Sequence, residues 1–146
     1  MTDPSEPETT AAARECVLGS HRETVATVLR CADAVAESWD GESTADPAAV
    51  ADPLRAELEA AGAWQRLPDV LADAVDATGE SLPAPPVAAP PYVAATSRGP
   101  VLRATLSAGR LVVLLRAFEV ERAPDRPPRY RRGPEAPVDA VRATFK

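Results

Sequence analysis

Two hydrophobic periods divide the chain. Up to about residue 79 apolar residues return every three or four positions; from residue 92 onward they return every second position. Leu18, His21, Val25, Val28, Ala32, Val35 and Trp39 trace one helical face. A second stripe, Ala13, Val17, Ser20, Thr24, Thr27, Cys31, Ala34 and Ser38, carries only small side chains, so a neighbouring element can approach the backbone closely. Glu23, Arg30, Asp33 and Glu37 fall outside both stripes and are expected to face water. One helix over 10–39 is the expectation. Two features oppose it: Gly19, which costs about 1 kcal/mol in a helix interior, and the capping-box spacing of SHRE (20–23), which would restart a helix at His21. The long stripe begins before the glycine, and that favours continuity.

DGESTAD (40–46) reads as a loop. Asp46-Pro47 and Asp52-Pro53 each look like an N-cap followed by proline at the first helical position. The expectation is a short turn over 47–51, then a helix from Pro53 to Ala61 stopped at Gly62. Pro68 opens a further helix with Leu67, Val70, Leu71, Ala74, Val75 and Thr78 on its apolar face, closed by Gly79. Beyond the prolines, 92–97 and 101–107 alternate as strands, with turns at 98–100 and 108–109. Residues 110–122 read as one strong strand, apolar on both faces in its first half. A turn is expected at 123–128, a short strand at 130–132 and a last strand over 138–145, with Val141, Ala143 and Phe145 on one face.

Helices followed by strands predict an α+β fold: N-terminal helices packed on one face of a C-terminal antiparallel β-meander, in a single domain. The expected layout is a disordered leader at 1–9 and one domain over 10–146. Within it lie a helical part (10–79), a proline-rich strap (80–91) and a sheet (92–146). The strap LPAPPVAAPPY (82–92) lacks the glycine and serine of a flexible linker. Its Leu82, Val87 and Tyr92 prefer burial, and nine residues of polyproline II reach about 28 Å, about one domain width. Each half has a face to bury and is small alone, so the two are expected to bury those faces on each other. PAPP (83–86) also has a PxxP spacing that an SH3- or WW-like module reads; such short motifs arise often by chance.

Composition changes this picture in three ways. The longest aliphatic run, LVVLL (111–115), is far too short to span a bilayer. The opening MTDPSEPETT lacks the basic and apolar regions of a signal peptide, so the expectation is a cytoplasmic protein with no membrane contact. Charge is segregated: residues 1–80 hold 17 acidic and 5 Arg residues, and residues 81–146 hold 5 acidic and 11 basic ones. Alanine is abundant, isoleucine and asparagine are absent, and Lys146 is the sole lysine. This acidic, lysine-poor usage is similar to that of proteins from salt-loving archaea. PPYVAATSRGPVLRATLSAGRLVVLLRAFEVER (90–122) resembles the signature of a small haloarchaeal family of uncharacterised function. The resemblance covers the sheet half and part of the helices, and it implies no activity.

Candidate chemistry is sparse. Cys16, His21 and Cys31 are the soft metal ligands. On one helix Cys16 and His21 would lie about 140° apart, and Cys16 and Cys31 about 22 Å apart. Neither a shared zinc site nor a disulfide fits that geometry unless the helix breaks at Gly19. Two free thiols, no metal and no other cofactor are expected. His21 sits on the apolar stripe with no nucleophile motif near it, which favours a packed, hydrogen-bonded histidine over a general base. Asp69, Asp73, Asp76 and Glu80 share a helix face, most simply a solvated one. No P-loop, GxGxxG, GxSxG or CxxC occurs, and no catalytic residue is assigned.

The arginines are more informative. Under strict alternation Arg116 shares a face with Val112, Leu114, Phe118 and Val120, where a guanidinium needs a partner. An anion site would supply one; a β-bulge near Arg116–Ala117 turning it outward, or a side chain snorkelling from the sheet edge, is simpler. Arg122, Arg126, Arg129, Arg131 and Arg132 cluster around Tyr130. Arginines with an aromatic suit phosphate contact and base stacking, but one aromatic is few, and Glu119, Glu121 and Asp125 lie nearby. The leading expectation is a non-enzymatic domain acting through a protein partner or self-association. Arg116, Arg122, Arg126, Arg129, Tyr130, Arg131 and Arg132 are its candidate contacts, and nucleic-acid association through the Arg122–Arg132 cluster is the alternative.

Overall fold

A computed structural model describes residues 6–146. The first helix, α1, spans Glu6–Ser20, and α2 spans Arg22–Glu37. Residues 6–9 of the expected leader are therefore helical, and the rest of that leader lies outside the described residues. The expected single helix is broken at His21, whose φ of −127° and ψ of 23° leave the helical region. The bonds His21 N–H to Val17 C=O (2.9 Å) and Val25 N–H to His21 C=O (3.0 Å) bracket the break. Gly19 and Ser20, weak helix formers just before it, account for a kink here. No side-chain cap accompanies it, so SHRE is not a capping box. Helix α2 buries Val25, Val28, Ala32 and Val35 of the long stripe, Thr24 and Cys31 of the small-residue stripe, and Leu29, which lies in neither; Thr27 and Ala34 are half-buried, and Glu23, Arg30, Asp33 and Glu37 are exposed.

Asp46 caps the 3-10 turn Pro47–Ala49, accepting from Ala48 N–H at 3.0 Å. Helix α3 (Ala51–Ala60) begins two residues before Pro53. Proline is tolerated there because first-turn N–H groups have no intrahelical acceptor, so Asp52 is not a cap. Gly62 ends the segment at φ +77°. A 3-10 turn, Trp64–Arg66, leads into α4 (Leu67–Ala77), which buries Leu67, Val70, Leu71, Ala74 and Val75.

The strands form two antiparallel sheets. The larger has four: β2 (Val93–Thr96), β3 (Gly99–Leu106), β4 (Gly109–Leu115) and β7 (Val141–Phe145), in that order. The smaller orders β1 (Ser43–Thr44), β6 (Arg126–Arg132) and β5 (Phe118–Ala123). Four expectations are corrected. The loop over 40–46 contains β1, paired to Arg131 and Tyr130. The strand expected over 110–122 is two strands in different sheets, parted at Arg116–Ala117. The turn expected at 123–128 is a hairpin whose second strand already starts at Arg126; Pro127 and Pro128 fall where the β5–β6 register shifts between Glu121 and Ala123 and before β1 begins to pair, so the ladder there does not need their missing donors. The last strand starts at Val141, after a helical turn α5 (Pro137–Ala140).

Helices pack on one face of the larger sheet. Leu102, Ala104, Leu106, Leu111, Val113, Leu115 and Val141 are buried there, in one core with Val17, Val28, Leu54, Leu58, Leu71 and Trp64. The fold is thus α+β, with the helical and strand halves sharing that core. The proline-rich segment crosses it: Leu82, Ala88 and Tyr92 pack against the core, and the Trp64 indole donates to Ala88 C=O at 3.1 Å. Val87, expected to be buried, is 57% exposed.

Candidate functional site

The β5–β6 hairpin separates the candidate arginines by strand parity. Inward-facing Phe118 lies opposite Arg132, and Val120 lies opposite half-buried Tyr130. On the outward face Glu119 opposes Arg131 and Glu121 opposes Arg129, a ladder of opposite charges. Arg131 donates to Glu121 at 2.5 Å, and that carboxylate raises its pKa. Arg129 donates to Ser43 Oγ (2.8 Å) and Ser43 C=O (3.1 Å), tying β1 to the hairpin. Arg132 turns inside. Its guanidinium donates to Asp33 Oδ1 (2.7 Å) and to the carbonyls of Ala117 (2.7 Å), Pro134 (2.8 Å) and Leu29 (3.3 Å). Arg122 and Arg126 are exposed and have no side-chain partner among the described residues. The sequence cluster is therefore three kinds of arginine: paired, internal and free.

Arg116 continues the alternation of β4, which fails only at the step from Ala117 to Phe118. Val112, Leu114 and Arg116 are half-buried on the outer side, while Ala117 and Phe118 are consecutive buried residues that end the pattern. The break falls where the bulge reading placed it, but it carries the chain from one sheet into the other. Arg116 Nη2 reaches Asp139 C=O at 3.4 Å, a weak contact. With Arg14 and Arg142 it lines a cleft of about 360 Å³ beside α5. Arg14 is already engaged, donating to Val141 C=O (3.1 Å) and to Val138 C=O.

The registers expose a surface that the sequence reading missed. On the outer face of the larger sheet, Ala94, Val101, Leu114 and Arg142 lie side by side across the four strands. The next row is Arg103, Val112 and Thr144, and the next Thr105 and Arg110, with Lys146 bonded to Arg110 through backbone. Val101, Val112 and Leu114 are half-buried; Arg103, Arg110, Arg142 and Thr144 are exposed. None of those three arginine side chains has a partner among the described residues. The four strands contain no Asp or Glu at all. A signal for this was present: every carboxylate after residue 81 lies between Glu119 and Asp139, outside the strands of this sheet.

His21 and the cysteines have structural surroundings. His21 Nε2 lies 2.6 Å from Asp73 Oδ2, joining the α1–α2 break to α4. Asp69 and Asp76 are exposed, and Glu80 accepts from Ser107 Oγ at 3.0 Å. Cys16 and Cys31 are free thiols. Burial pushes both thiols above their ordinary pKa; Asp73 and Asp76 add to this at Cys16 and Glu57 at Cys31, where Arg30 pulls the other way. The thiolate is the reactive form. Native labelling of both by a maleimide is therefore expected to be slower than that of an unfolded thiol at pH 8, to rise as pH increases, and to be slowest at buried Cys31. Mass spectrometry of timed samples reads this directly, and faster labelling of Cys31 than of Cys16 would contradict the placement of Cys31 in the helix seam.

A family model described as a domain of unknown function, DUF7988, matches residues 11–145. The chain belongs to the DUF7988 family. An uncharacterised family is what the segment 90–122 implied, and the DUF7988 match extends it over both the helices and the sheet. Neither the search of curated proteins nor that of solved structures found a match. No helix among the described residues of this DUF7988 domain is long and apolar enough to cross a membrane.

Proposed function

We propose that the domain is a non-enzymatic, cytoplasmic binding module whose ligand is another protein. The observation that supports this is the outer face of β2–β3–β4–β7: an apolar strip among unpaired arginines, on strands without a carboxylate. Apolar surface rimmed by charge is characteristic of protein contact sites, and arginine is enriched at them. Residues 1–80, by contrast, are strongly acidic, so this face stands out from the rest of the surface. The lysine-poor, acidic usage supports a salt-adapted, haloarchaeal setting. In molar salt the Debye length is about 3 Å, and the apolar strip then has to supply most of the affinity.

A pull-down from lysate at native salt tests the reading. A protein retained by the parent chain and by the Arg122→Ala/Arg126→Ala variant, but lost with Arg103→Glu/Arg142→Glu, is the expected result. Retention that ignores the sheet face sinks it. Tight oligonucleotide binding whose log–log salt slope falls by about 2 in Arg122→Ala/Arg126→Ala would instead rank the nucleic-acid alternative first.

A further inference from the structure

We infer that the occupant of this face is an acidic amphipathic helix of the partner protein, an inference that rests on the protein-binding reading above. Its apolar stripe would lie along Val101, Leu114 and Val112, and its flanking carboxylates would meet Arg103, Arg110 and Arg142. The chain already contains the apolar half of such a contact. Helix α4 buries Leu67, Val70, Leu71, Ala74 and Val75, carries exposed Asp69, Asp73 and Asp76, and packs against β3 from the inner side. A helix on the outer side would complete the three-layer arrangement of a sheet covered on both faces.

Charge and chemistry separate this occupant from others. Rim ion pairs contribute at most about fivefold each, so a binder must also cover the apolar strip. A nucleic acid would leave that strip wet, and no outward-facing position on these strands is aromatic, so bases have nothing to stack on. A second copy docked face to face would set Arg103, Arg110 and Arg142 against their own like charges. Its acidic helices cannot serve either, because the apolar stripes of α2 and α4 are already buried in its own core.

The test uses the full chain, labelled with ¹⁵N, and two synthetic peptides of identical composition. One has leucines at helical spacing flanked by glutamates; the other has the same residues scrambled. The patterned peptide is expected to shift the amides of 101–105, 110–114 and 142–144, and to bind at least about tenfold more tightly than the scrambled one. Arg103→Glu/Arg142→Glu should abolish those shifts, and Val112→Thr, which keeps a β-branched residue in the strand, should weaken binding about threefold. Should the charge-reversed chain misfold, Arg103→Ala/Arg142→Ala gives the same reading through loss of affinity. Equal binding of both peptides, shifts elsewhere, or no shifts up to about 1 mM peptide overturns the inference. So does concentration-dependent dimerisation, or an oligonucleotide, that moves the same amides. A photo-crosslinker at Thr144 distinguishes the two failures. A captured protein that disappears in Arg103→Glu/Arg142→Glu, without peptide shifts, ends the helix inference and keeps the docking reading; neither capture nor shifts ends both.

Discussion

Gly99→Ala is expected to lower the stability of the domain by about 4 kcal/mol, which is a fall of about 10 °C or more in the melting midpoint for a chain of this size. Two effects add. Gly99 has φ +141°, a conformation that residues with a Cβ rarely adopt. A Cβ there would also lie 2.0 Å from Leu115 O, 3.1 Å from Leu115 C and 3.2 Å from Ala117 N. All three are backbone atoms at the point where the chain leaves the larger sheet, so no side chain can swing away to make room. The same turn holds that point by hydrogen bonds: Arg98 C=O accepts from Ala117 N–H at 2.7 Å and from Phe118 N–H at 3.0 Å. Gly19 provides the contrast. It is exposed, nothing lies within 4 Å of its would-be Cβ, and its φ is ordinary. Gly19→Ala is therefore expected to raise stability by up to about 1 kcal/mol. Thermal melts of the two variants beside the parent check both signs, and a G99A midpoint equal to the parent's would show that the strand switch does not need the close approach.

Arg132→Ala is the second large effect, expected at about 3 kcal/mol. The side chain is 17% exposed and makes four hydrogen bonds, joining α2, the switch residue Ala117 and the loop after β6. Truncation removes all four and opens a void across from Phe118. Arg132→Lys is expected to recover little, because a single ammonium cannot reproduce the planar fork that reaches carbonyls on both sides. Its neighbour behaves differently. Arg131 is exposed, its partner Glu121 is 53% exposed, and Arg131→Ala should leave the melting midpoint unchanged. Urea unfolding of the two alanine variants, followed by tryptophan fluorescence, separates them. Similar midpoints would mean that Arg132 is not the internal tie that its contacts describe.

These adjacent arginines show how far the sequence could be read. Periodicity is a local property, and whatever followed from it alone was legible. The stripes of α2, the apolar face of α4, the alternation of β3 and the common face of Val141, Ala143 and Phe145 all depend on backbone geometry within one element. Gly62 and Gly79 as helix stops follow from positive φ, which is equally local. The segregation of charge between the halves was visible as a count.

Tertiary closure decided the rest. Residues 110–122 look like one strand because the apolar run of the first half passes without a turn signal into the alternating Phe118 and Val120; only the pairing of β4 with β7 and of β5 with β6 shows that they serve different sheets. Arg131 and Arg132 are equivalent as sequence, yet pairing with β5 points one at Glu121 in solvent and the other at Asp33 and three backbone carbonyls inside. The face carrying Arg103, Arg110 and Arg142 needed the same information, since β7 comes to lie beside β4 only after the β5–β6 excursion. The physical reason is one and the same. A strand's alternation says which residues share a face, but hydrogen-bonded register with distant segments determines which face is covered, what lies opposite each charge, and which arginines are left for a partner.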